Sequence, residues 1–320
     1  MNQFGRQFRL SIFGESHGSG IGITIDGCPS GIEIHESDFN EDLSRRRSGA
    51  IGTTSRTEKD EIKFLSGIYQ GKSTGAPITL FFENTNALSS DYAQFKEIPR
   101  PGHADFVALN KWENADIRGG GHFSGRLTLG LVAAGVIAKK IINPIIVTST
   151  ILEVGGDKDI ESAIKKAIEN NDSIGGILEC RATQMPIGLG EPFFDSVESI
   201  ISHLVFSIPA VKGIEFGSGF ESARMTGLSH NDSIISSNGL TSTNNAGGIN
   251  GGISNGNELV FRIAVKPTSS TPAEQNTMNL STNKIETFTV KGRHDLCIAL
   301  RVPPILEAVT AIALADLLIP

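Results

Sequence analysis

Residues 125–142 of the chain read GRLTLGLVAAGVIAKKII, and a proline, Pro144, follows two positions later. Apolar side chains such as Val132, Val136 and Ile137 recur at helical spacing and fall on most faces of the helix. A helix that is apolar on most faces has to be covered from more than one side. We therefore predict a helix over 125–142 that lies buried between two layers of the protein and ends before the proline.

Around this helix the sequence changes irregularly between strand and helix patterns. Strands are predicted at 8–13, 20–25, 62–68, 76–83, 175–185, 211–216 and 258–265, and helices at 38–47, 160–170, 197–207 and 303–318. The strands at 62–68 and 76–83 lie on either side of turn residues and are predicted to form a hairpin. Because strands and helices do not strictly alternate, we expect an α+β layered sandwich with antiparallel pairs rather than a doubly wound parallel sheet. No stretch has the composition of a linker, so residues 1–320 are predicted to form a single domain.

The composition excludes several classes of protein. With 39% hydrophobic residues in a chain of 320, there is enough apolar material for a sizeable core, which excludes a disordered chain. A net charge of −7 argues against a nucleic-acid partner, because binding to a phosphate backbone needs an excess of cations. The longest apolar run, residues 129–138, is too short to span a bilayer, and the N-terminus lacks a signal-peptide core. The three cysteines lie far apart without zinc or disulfide spacing, so we expect a cytoplasmic protein with no membrane and no metal partner.

Two polar clusters lie near the start of the chain. Gly14-Glu-Ser-His-Gly18 follows a predicted strand, which puts polar side chains on a tight turn at a strand end, where ligands commonly bind. A turn histidine bonded to backbone is an equally good interpretation of His17. Arg45-Arg46-Arg47 ends the predicted helix at 38–47, and arginines bind phosphate or carboxylate bidentately. Taken alone, however, such a run is more often a solvated helix end, where the helix dipole favours cations.

Two further clusters precede the buried helix. Arg100-Pro-Gly-His-Ala-Asp105 is a rigid turn, and a histidine fixed on such a turn suits proton donation or abstraction. Arg118-Gly-Gly-Gly-His122 follows, with Ser124 and Arg126 shortly after it. Consecutive glycines before a helix expose backbone N–H groups to an anion. The spacing matches neither a Walker A motif nor a dinucleotide fingerprint.

The second half of the chain carries the remaining clusters, a run rich in Asn and Gly at 244–252, then Lys266-Pro-Thr-Ser-Ser270, then Gly292-Arg-His-Asp295. Hydroxyls, a lysine and an arginine on irregular backbone suit a phosphorylated, polar cofactor. Each cluster alone is also consistent with tight turns and ordinary surface charge. Their joint occurrence in one chain favours a ligand site.

Together these clusters resemble the chorismate synthase family over essentially the whole chain. The matching blocks occur in family order and are Gly14-Glu-Ser-His-Gly18 with Asp26-Gly27, Arg45-Arg46-Arg47, Arg100-Pro-Gly-His-Ala-Asp105, Arg118-Gly-Gly-Gly121, Asn245-Ala-Gly-Gly248, Lys266-Pro-Thr-Ser-Ser270 and Gly292-Arg-His-Asp295. One block would be weak support, whereas seven in order are specific.

The resemblance implies a phosphate lyase of the shikimate pathway that converts 5-enolpyruvylshikimate 3-phosphate into chorismate by a trans-1,4-elimination. The family requires reduced FMN although the reaction has no net redox change. The implied fold places helices between antiparallel sheets in two similar halves, and the implied assembly is a homotetramer. Because no pyridine-nucleotide fingerprint is visible, we expect NADPH to act only indirectly, with reduced flavin supplied from an external source.

The resemblance also implies roles for individual residues. His17 would protonate the departing phosphate, His103 would lie by the N1 region of the flavin, and Asp295 would assist proton removal. The implied substrate-binding residues are Arg45, Arg46, Arg47, Arg100, Arg118 and Arg126. The implied flavin-binding residues are Ser124, Asn245, Ala246, Gly251, Lys266, Pro267, Thr268, Ser269, Ser270 and Arg293.

The chain departs from the family pattern at three points. After the triple glycine, where the commonest form has Arg-Ser-Ser, it has His122-Phe123-Ser124. A family arginine between the arginine triplet and Thr53 is missing, and Arg56 is a candidate to compensate for it. The chain is also shorter than many members, with the loss in its middle.

Two other classes of function stay open at this point. The first is a flavin- or sugar-phosphate-binding protein that kept the fold and lost the elimination, and the intact His17, His103 and Asp295 argue against it. The second is a non-enzymatic interaction protein, which is hard to reconcile with histidines and arginines concentrated at glycine-rich turns.

Overall fold

The computed structural model describes residues 2–86, 90–290, 292 and 294–320. Its strands are β1 Gln3–Phe4, β2 Arg9–Gly14, β3 Gly20–Asp26, β4 Lys63–Ser66, β5 Ile68–Tyr69, β6 Lys72–Ser73, β7 Ile78–Glu83, β8 Ile146–Val154, β9 Gly176–Thr183, β10 Val211–Phe216, β11 Ile249–Asn250, β12 Ile253–Ser254, β13 Leu259–Val265, β14 Gln275–Asn279 and β15 Lys284–Phe288. Its α-helices are α1 Asn40–Arg46, α2 Asp105–Lys111, α3 Thr128–Ile141, α4 Ile160–Glu169, α5 Val197–Val205, α6 Gly227–His230 and α7 Pro303–Leu318. Short 3₁₀ segments are Glu36–Phe39, Ser90–Lys96, Arg118–Phe123, Gly125–Leu127, Phe193–Asp195, Gly219–Arg224 and Ile298–Arg301.

The first half of the chain forms a five-stranded antiparallel sheet in the order β1-β2-β3-β7-β4. The central strand β3 pairs Ile23 with Ile12 of β2 on one side and with Leu80 of β7 on the other. Ile21, Ile23 and Ile25 alternate along β3 and are buried on the face that meets the helices. The hairpin predicted from 62–68 and 76–83 is confirmed, because β4 pairs with β7.

The second half forms a four-stranded antiparallel sheet in the order β10-β13-β9-β8. β13 is central and pairs Phe261 with Cys180 of β9 and with Phe216 of β10. Phe261 and Ile263 point into the protein and are 1% exposed. The edge strand β8 was not predicted from the sequence, and neither was the separate hairpin of β14 and β15.

The long helices lie between the two sheets. α3 packs against β3 and β7 of the first sheet, α7 packs against β8 and β9 of the second, and the two helices pack against each other. They cross closely at Gly135, where a Cβ would lie only 2.3 Å from the Cβ of Ala308. One hydrophobic core runs through both sheets and the helices. The predicted α+β sandwich with antiparallel sheets is therefore confirmed.

The two ends of the chain meet on α7. Asp316 is 8% exposed, and its Oδ1 accepts the backbone N–H groups of Arg6, Gln7 and Phe8 at 2.8, 2.7 and 2.8 Å. Three donors on one buried carboxylate oxygen hold the segment before β2 against the last helix.

The predicted helix over 125–142 starts as the 3₁₀ turn Gly125–Leu127 and continues as α3. The larger stretch Arg118–Ile141 is long and apolar enough to cross a membrane by composition, but 78% of its most apolar window is buried inside the protein. It is a core helix of this fold.

Candidate active site

A cavity of about 410 Å³ opens between the two halves of the chain. The first half contributes the turn after β2, the end of α1, the loop that follows it and the glycine turn before α3. The second half contributes the loop after β13 and the segment that leads into α7. The cations of the lining are Arg46, Arg47, Arg56, Arg100, Arg126, Lys266 and Arg301, and its carboxylates are Glu58, Asp60 and Asp295. A chain with a net charge of −7 thus gathers an excess of cations in one cavity, which suits an anionic ligand.

The turn after β2 brings Ser16 into the lining of the cavity, whereas His17 is not a lining residue and packs against the lining from outside it. The N–H of Ser16 donates to the carbonyl of Gly121 at 3.1 Å and joins this turn to the triple glycine. Gly119 has a φ of +58°, and a Cβ there would lie 2.1 Å from Nδ1 of His17. The His17 ring also packs edge-on against Tyr92, with centroids 5.0 Å apart. His17 is therefore fixed against two residues of the lining, Gly119 and Tyr92.

The turn before α2 holds a buried charge network. Asp105 is 1% exposed, accepts Arg100 Nε at 2.7 Å and Nη2 at 2.8 Å, and lies 2.7 Å from Nδ1 of His103. Burial acts to raise the pKa of Asp105, but hydrogen bonds from Arg100 and His103 outweigh it and hold that pKa well below its ordinary value. The ionised carboxylate of Asp105 can accept a hydrogen bond from Nδ1 of His103, and Nε2 of His103 lies on the side of Gly120.

The loop after β13 binds this turn from the second half of the chain. Lys266 Nζ donates to the carbonyl of Gly102 and to Ser269 Oγ, each at 2.8 Å, and Ser269 Oγ donates to the same carbonyl at 2.8 Å. Arg100 Nη1 donates to Ser270 Oγ at 2.9 Å. These bonds fasten two of the sequence clusters to each other across the cavity.

Arg301, two positions before α7, holds Asp295 beside the cavity. Arg301 Nη1 lies 3.1 and 3.0 Å from the two carboxylate oxygens, and the N–H of Thr54 donates to Oδ1 at 2.9 Å. Arg301 Nε donates to the backbone carbonyl of Arg46 at 3.0 Å. Arg301 therefore connects Asp295 with the end of α1.

Arg46 reaches the cavity from the end of α1 and is 2% exposed. Its Nε donates to Thr128 Oγ1 at 3.1 Å, and its Nη2 donates to the carbonyl of Gly125 at 2.9 Å. Burial, and then repulsion by Arg301, lowers the pKa of Arg46 to about 9, so it is still a cation at neutral pH. A desolvated guanidinium of this kind interacts strongly with an anion in the cavity.

Asp60 brings three arginines together. It is 3% exposed on its side chain and accepts Nη1 of Arg126, whose Nε donates to Asn84 Oδ1 at 3.0 Å. Arg46 Nη1 and Arg47 Nε each lie 3.9 Å from its other oxygen. Half of the arginines predicted to bind substrate thus converge on one buried carboxylate.

The chain is similar to known proteins over nearly its whole length. The family model described as chorismate synthase matches residues 8–319. The chain is 61% identical over 321 residues to a chorismate synthase of Chitinophaga pinensis, covering 100% of this chain and 97% of that protein. It is 41% identical over 364 residues to one of Methanocaldococcus jannaschii, covering 100% and 96%. A solved structure described as a crystal structure of chorismate synthase matches with a TM-score of 0.77 at 27% identity, over 98% of this chain and 92% of the other.

The chain belongs to the chorismate synthase family.

Membership in the chorismate synthase family makes the chain a carbon–oxygen lyase of the shikimate pathway that acts on a small molecule. The family also implies a flavin cofactor in general. The resemblance drawn from the seven sequence blocks is confirmed, and so is the fold that it implied.

Two of the arginines predicted to bind substrate lie elsewhere. Arg45 donates Nη1 and Nη2 to the two oxygens of Glu307, each at 2.7 Å, in a separate groove. Arg118 pairs with Asp116 through Nε at 2.8 Å and Nη2 at 2.7 Å and is half exposed. In the part of the chain that the structure describes, neither side chain lines the cavity.

The residues predicted to bind flavin fall into two groups. One group lines the cavity and consists of Ser124, Lys266, Pro267, Thr268, Ser269 and Ser270. The other group lies apart from it. Asn245 and Ala246 donate their backbone N–H groups to Asp232 at 2.8 and 2.9 Å, and Gly251 lies between β11 and β12. Arg293 lies outside the described residues.

Arg56, the candidate to compensate for the missing family arginine, lies in the cavity lining. Its Nη1 donates to Ser16 Oγ at 2.9 Å and its Nη2 to Glu58 Oε1 at 2.7 Å. Burial acts to raise the pKa of Glu58, but Arg56 and Thr85 outweigh it and lower that pKa to about 2. Arg56 is therefore a fixed cation next to His17.

Several residues of the lining were given no role from the sequence: Ser16 and His294 belong to the predicted clusters, whereas Glu58, Asp60, Tyr92 and Arg301 lie outside them. Glu58 and Asp60 carried a usable signal, because charges alternate from Arg56 onward directly after the Thr53-Thr54 pair. Arg301 carried none beyond being a single charge in an apolar stretch.

Proposed function

We propose that this chain converts 5-enolpyruvylshikimate 3-phosphate into chorismate and phosphate by a trans-1,4-elimination, with reduced FMN as its cofactor. The observation that carries the proposal is a single cavity lined by seven lysine and arginine side chains together with His103 and Asp295. The substrate carries one phosphate and two carboxylates, and FMN adds a further phosphate. Such groups repel one another in a site of low dielectric unless cations lie between them.

The cavity residues fit a flavin mononucleotide. Thr268 Oγ1 is buried and has no hydrogen-bond partner within the described residues, so it is available to a ligand atom. Lys266 lies in the same loop, and burial lowers its pKa below the ordinary value. We infer that this loop, residues 266–270, holds FMN together with Ser124, and that Arg293 joins them.

His17 is proposed to protonate the phosphate as it departs. Its imidazole is fixed by Gly119 and Tyr92, and Arg56, bonded to the adjacent Ser16, adds a positive charge nearby. A proton donor and a guanidinium stabilise the negative charge that develops as the C–O bond breaks. Arg46, Arg47, Arg100 and Arg126 are proposed to hold the anionic groups of the substrate or to order the residues that do.

Asp295 is proposed to assist removal of the C6 hydrogen as a proton. Arg301 and the N–H of Thr54 fix the orientation of its carboxylate. When bound, reduced flavin would supply electron density to the substrate and a basic N5 for the C6 proton. The C6–H bond and the C–O bond to phosphate break, the ring C=C bond shifts and a second one forms, and chorismate, phosphate and a proton are released without net oxidation.

His103 is proposed to lie beside the flavin and to offset the charge of its reduced ring. Asp105 can accept a hydrogen bond from Nδ1, and the loop that carries Lys266 holds the backbone of the same turn at Gly102. An imidazole fixed next to the loop proposed to bind FMN would interact more strongly with the reduced flavin ring than with the oxidised one, because the reduced ring is more anionic.

We propose that the chain assembles as a homotetramer in the cytoplasm. Five large apolar side chains of the second half are between 72% and 93% exposed, namely Phe193, Phe194, Phe220, Leu228 and Ile234. Phe193 and Phe194 are adjacent in the chain, and a contiguous exposed apolar patch is typical of a surface that contacts another protein. Asn245, Ala246 and Gly251 belong to the same part of the chain, so we infer that they reach the flavin of a neighbouring subunit.

An anaerobic turnover assay tests the proposed reaction. Chorismate and free phosphate are measured with the substrate plus photochemically reduced FMN, plus oxidised FMN and NADPH, or with no flavin. We expect both products in equal amounts with reduced FMN and none without flavin. Because we propose an external source of reduced flavin, NADPH with oxidised FMN should support turnover only after a flavin reductase is added.

The alternative is a flavin- or sugar-phosphate-binding protein of the same fold that has lost the elimination. The same experiment separates the two, because that alternative predicts tight binding of FMN and substrate without release of phosphate. The fixed positions of His17 and Asp295 favour the enzyme.

A further inference from the structure

A buried carboxylate, Glu307, lies in the second turn of α7 and faces the groove that contains Arg45. Its two oxygens accept Arg45 Nη1 and Nη2 at 2.7 Å each, and the N–H of Ser149 in β8 donates to Oε1 at 3.1 Å. Lys139 of α3 donates to Oε2 at 3.2 Å. Burial acts to raise the pKa of Glu307, but Arg45 and Lys139 outweigh it and lower that pKa. Glu307 is thus an ionised group that ties one residue of α1 to α7.

The end of α1 is held at two successive residues by the segment around the start of α7. Arg45 is bound through its side chain by Glu307, and Arg46 is bound through its backbone carbonyl by Arg301 Nε. Successive side chains on a helix point about 100° apart, so the direction of one fixes the direction of the next. With Arg45 turned into the groove, Arg46 is directed into the cavity, and Arg47 follows at its rim.

We propose that the Arg45–Glu307 pair is a positioning device for substrate binding, and that it sets the rotation of α1 at which Arg46 and Arg47 face the cavity. Arg45 then acts without touching the substrate, in place of the direct role that the family resemblance implied for it. The inference rests on the proposed function only in the choice of 5-enolpyruvylshikimate 3-phosphate as the ligand.

The geometry of the pair favours this role over simple charge neutralisation. The contact is bidentate, with two parallel N–H···O bonds, and such a contact specifies direction as well as attraction. α1 is also held by the buried Leu43 and by Asp42, whose Oδ2 accepts Lys139 Nζ at 2.7 Å, so the pair fixes the rotation of α1 together with these contacts. A displaced guanidinium loses the bidentate geometry that it needs to bind an anionic group, so the expected loss is in substrate affinity.

The test compares Glu307→Gln and Arg45→Lys with the wild type. Glutamine keeps the shape of Glu307 without the charge, and lysine keeps the charge of Arg45 without the fork. The dissociation constant of 5-enolpyruvylshikimate 3-phosphate is measured by calorimetry, KM and kcat by turnover, and reduced-FMN affinity by titration. We expect Glu307→Gln to raise the dissociation constant and KM about tenfold, Arg45→Lys to do so by a smaller factor, and kcat and FMN affinity to stay within about twofold. The double variant should bind no more weakly than Glu307→Gln, because the two residues act as a unit.

Asp316→Asn is the matched control, since it neutralises another buried carboxylate on the same helix, away from α1. It should lower the melting temperature and leave the substrate dissociation constant unchanged. If both test variants lower only the melting temperature, as this control does, the pair is structural and the inference is wrong. If Glu307→Gln does not fold, Arg45→Lys alone decides. Arg45 is 37% exposed on its side chain, and in this variant Lys139 still lies next to the buried charge of Glu307. A wild type that binds the substrate without turnover would overturn the proposed reaction and not this inference.

Discussion

Gly119 lies directly against His17, so that a Cβ at position 119 would come within 2.1 Å of the imidazole Nδ1. The two residues belong to different turns, one before α3 and one after β2, and a backbone hydrogen bond from Ser16 to Gly121 joins these turns. The imidazole of His17, the proposed proton donor, can adopt this orientation only because Gly119 has no side chain. A motif of three glycines, read from the sequence as a possible anion cradle, has this second role.

Replacing either residue should abolish most of the turnover. His17→Ala removes the proposed proton donor, so we expect kcat to fall by about 10²–10⁴-fold. Gly119→Ala displaces the same ring, so its kcat should also fall. FMN affinity, measured by titration, should be retained in both. Gly156→Ala is the control, because Gly156 also has a positive φ but a Cβ there meets open space. Normal turnover in His17→Ala would remove this histidine from the mechanism.

Arg46→Lys should raise the substrate KM by at least about tenfold while FMN affinity holds. A lysine keeps the charge but cannot reproduce the bonds of the planar guanidinium to Thr128 and to the carbonyl of Gly125. Steady-state kinetics at saturating reduced FMN measures the effect, with Arg9→Lys, at an exposed ion pair, as the control. An unchanged KM would mean that Arg46 does not bind the substrate and only forms the end of α1.

His103→Ala should weaken the binding of reduced FMN more than that of oxidised FMN. The reduced ring is the more anionic form, and the variant removes the group proposed to offset its charge. Anaerobic and aerobic titrations of wild type and variant give the four dissociation constants. Equal weakening of the two redox forms would show that His103 is a packing or substrate contact instead.

Gly135→Ala should lower the free energy of unfolding by about 1–3 kcal/mol, since an added methyl group overpacks the contact between α3 and α7. A Cβ at Gly135 would also lie 2.5 Å from the Cα of Ala308, so backbone as well as side chain would have to move. Urea denaturation measures the change. Gly130→Ala, where the nearest atom is 3.3 Å away, should cost less, and an equal cost in both would contradict the argument.

The stability contributed by Glu58 should depend on pH in the acid range. Its pKa in the folded protein is about 2, below the ordinary value of 4.5, so its ionised form stabilises the fold above about pH 4.5. That contribution is lost as the pH falls from there towards 2. Glu58→Gln should therefore be less stable than the wild type at neutral pH, and the difference should shrink on acidification. Urea denaturation at several pH values checks this, and a difference that stays constant would contradict it.

The sequence predicted those parts of the fold and site that are encoded locally. α7 and β10 have the bounds expected from their periodicity, and each polar cluster was visible because its residues are contiguous. β8 was missed because its residue types do not follow its regular burial alternation: Ser149 and Glu153 are half-buried, whereas Ile146 and Leu152 are exposed. Arg301 binds the carbonyl of Arg46 and Asp60 binds Arg126, and because these partners are distant in sequence, only the folded chain shows them.

The backbone of residues 6–8 finds its hydrogen-bond acceptor only at Asp316, four residues from the end of the chain. During synthesis Arg6 is made 310 residues before Asp316, so this segment cannot be anchored until α7 has been made. Contacts of such long sequence separation form slowly, because a large loop has to close first. The cavity draws its walls from both halves and takes Arg301 from the residues just before α7, so it too cannot be completed until that segment has been made.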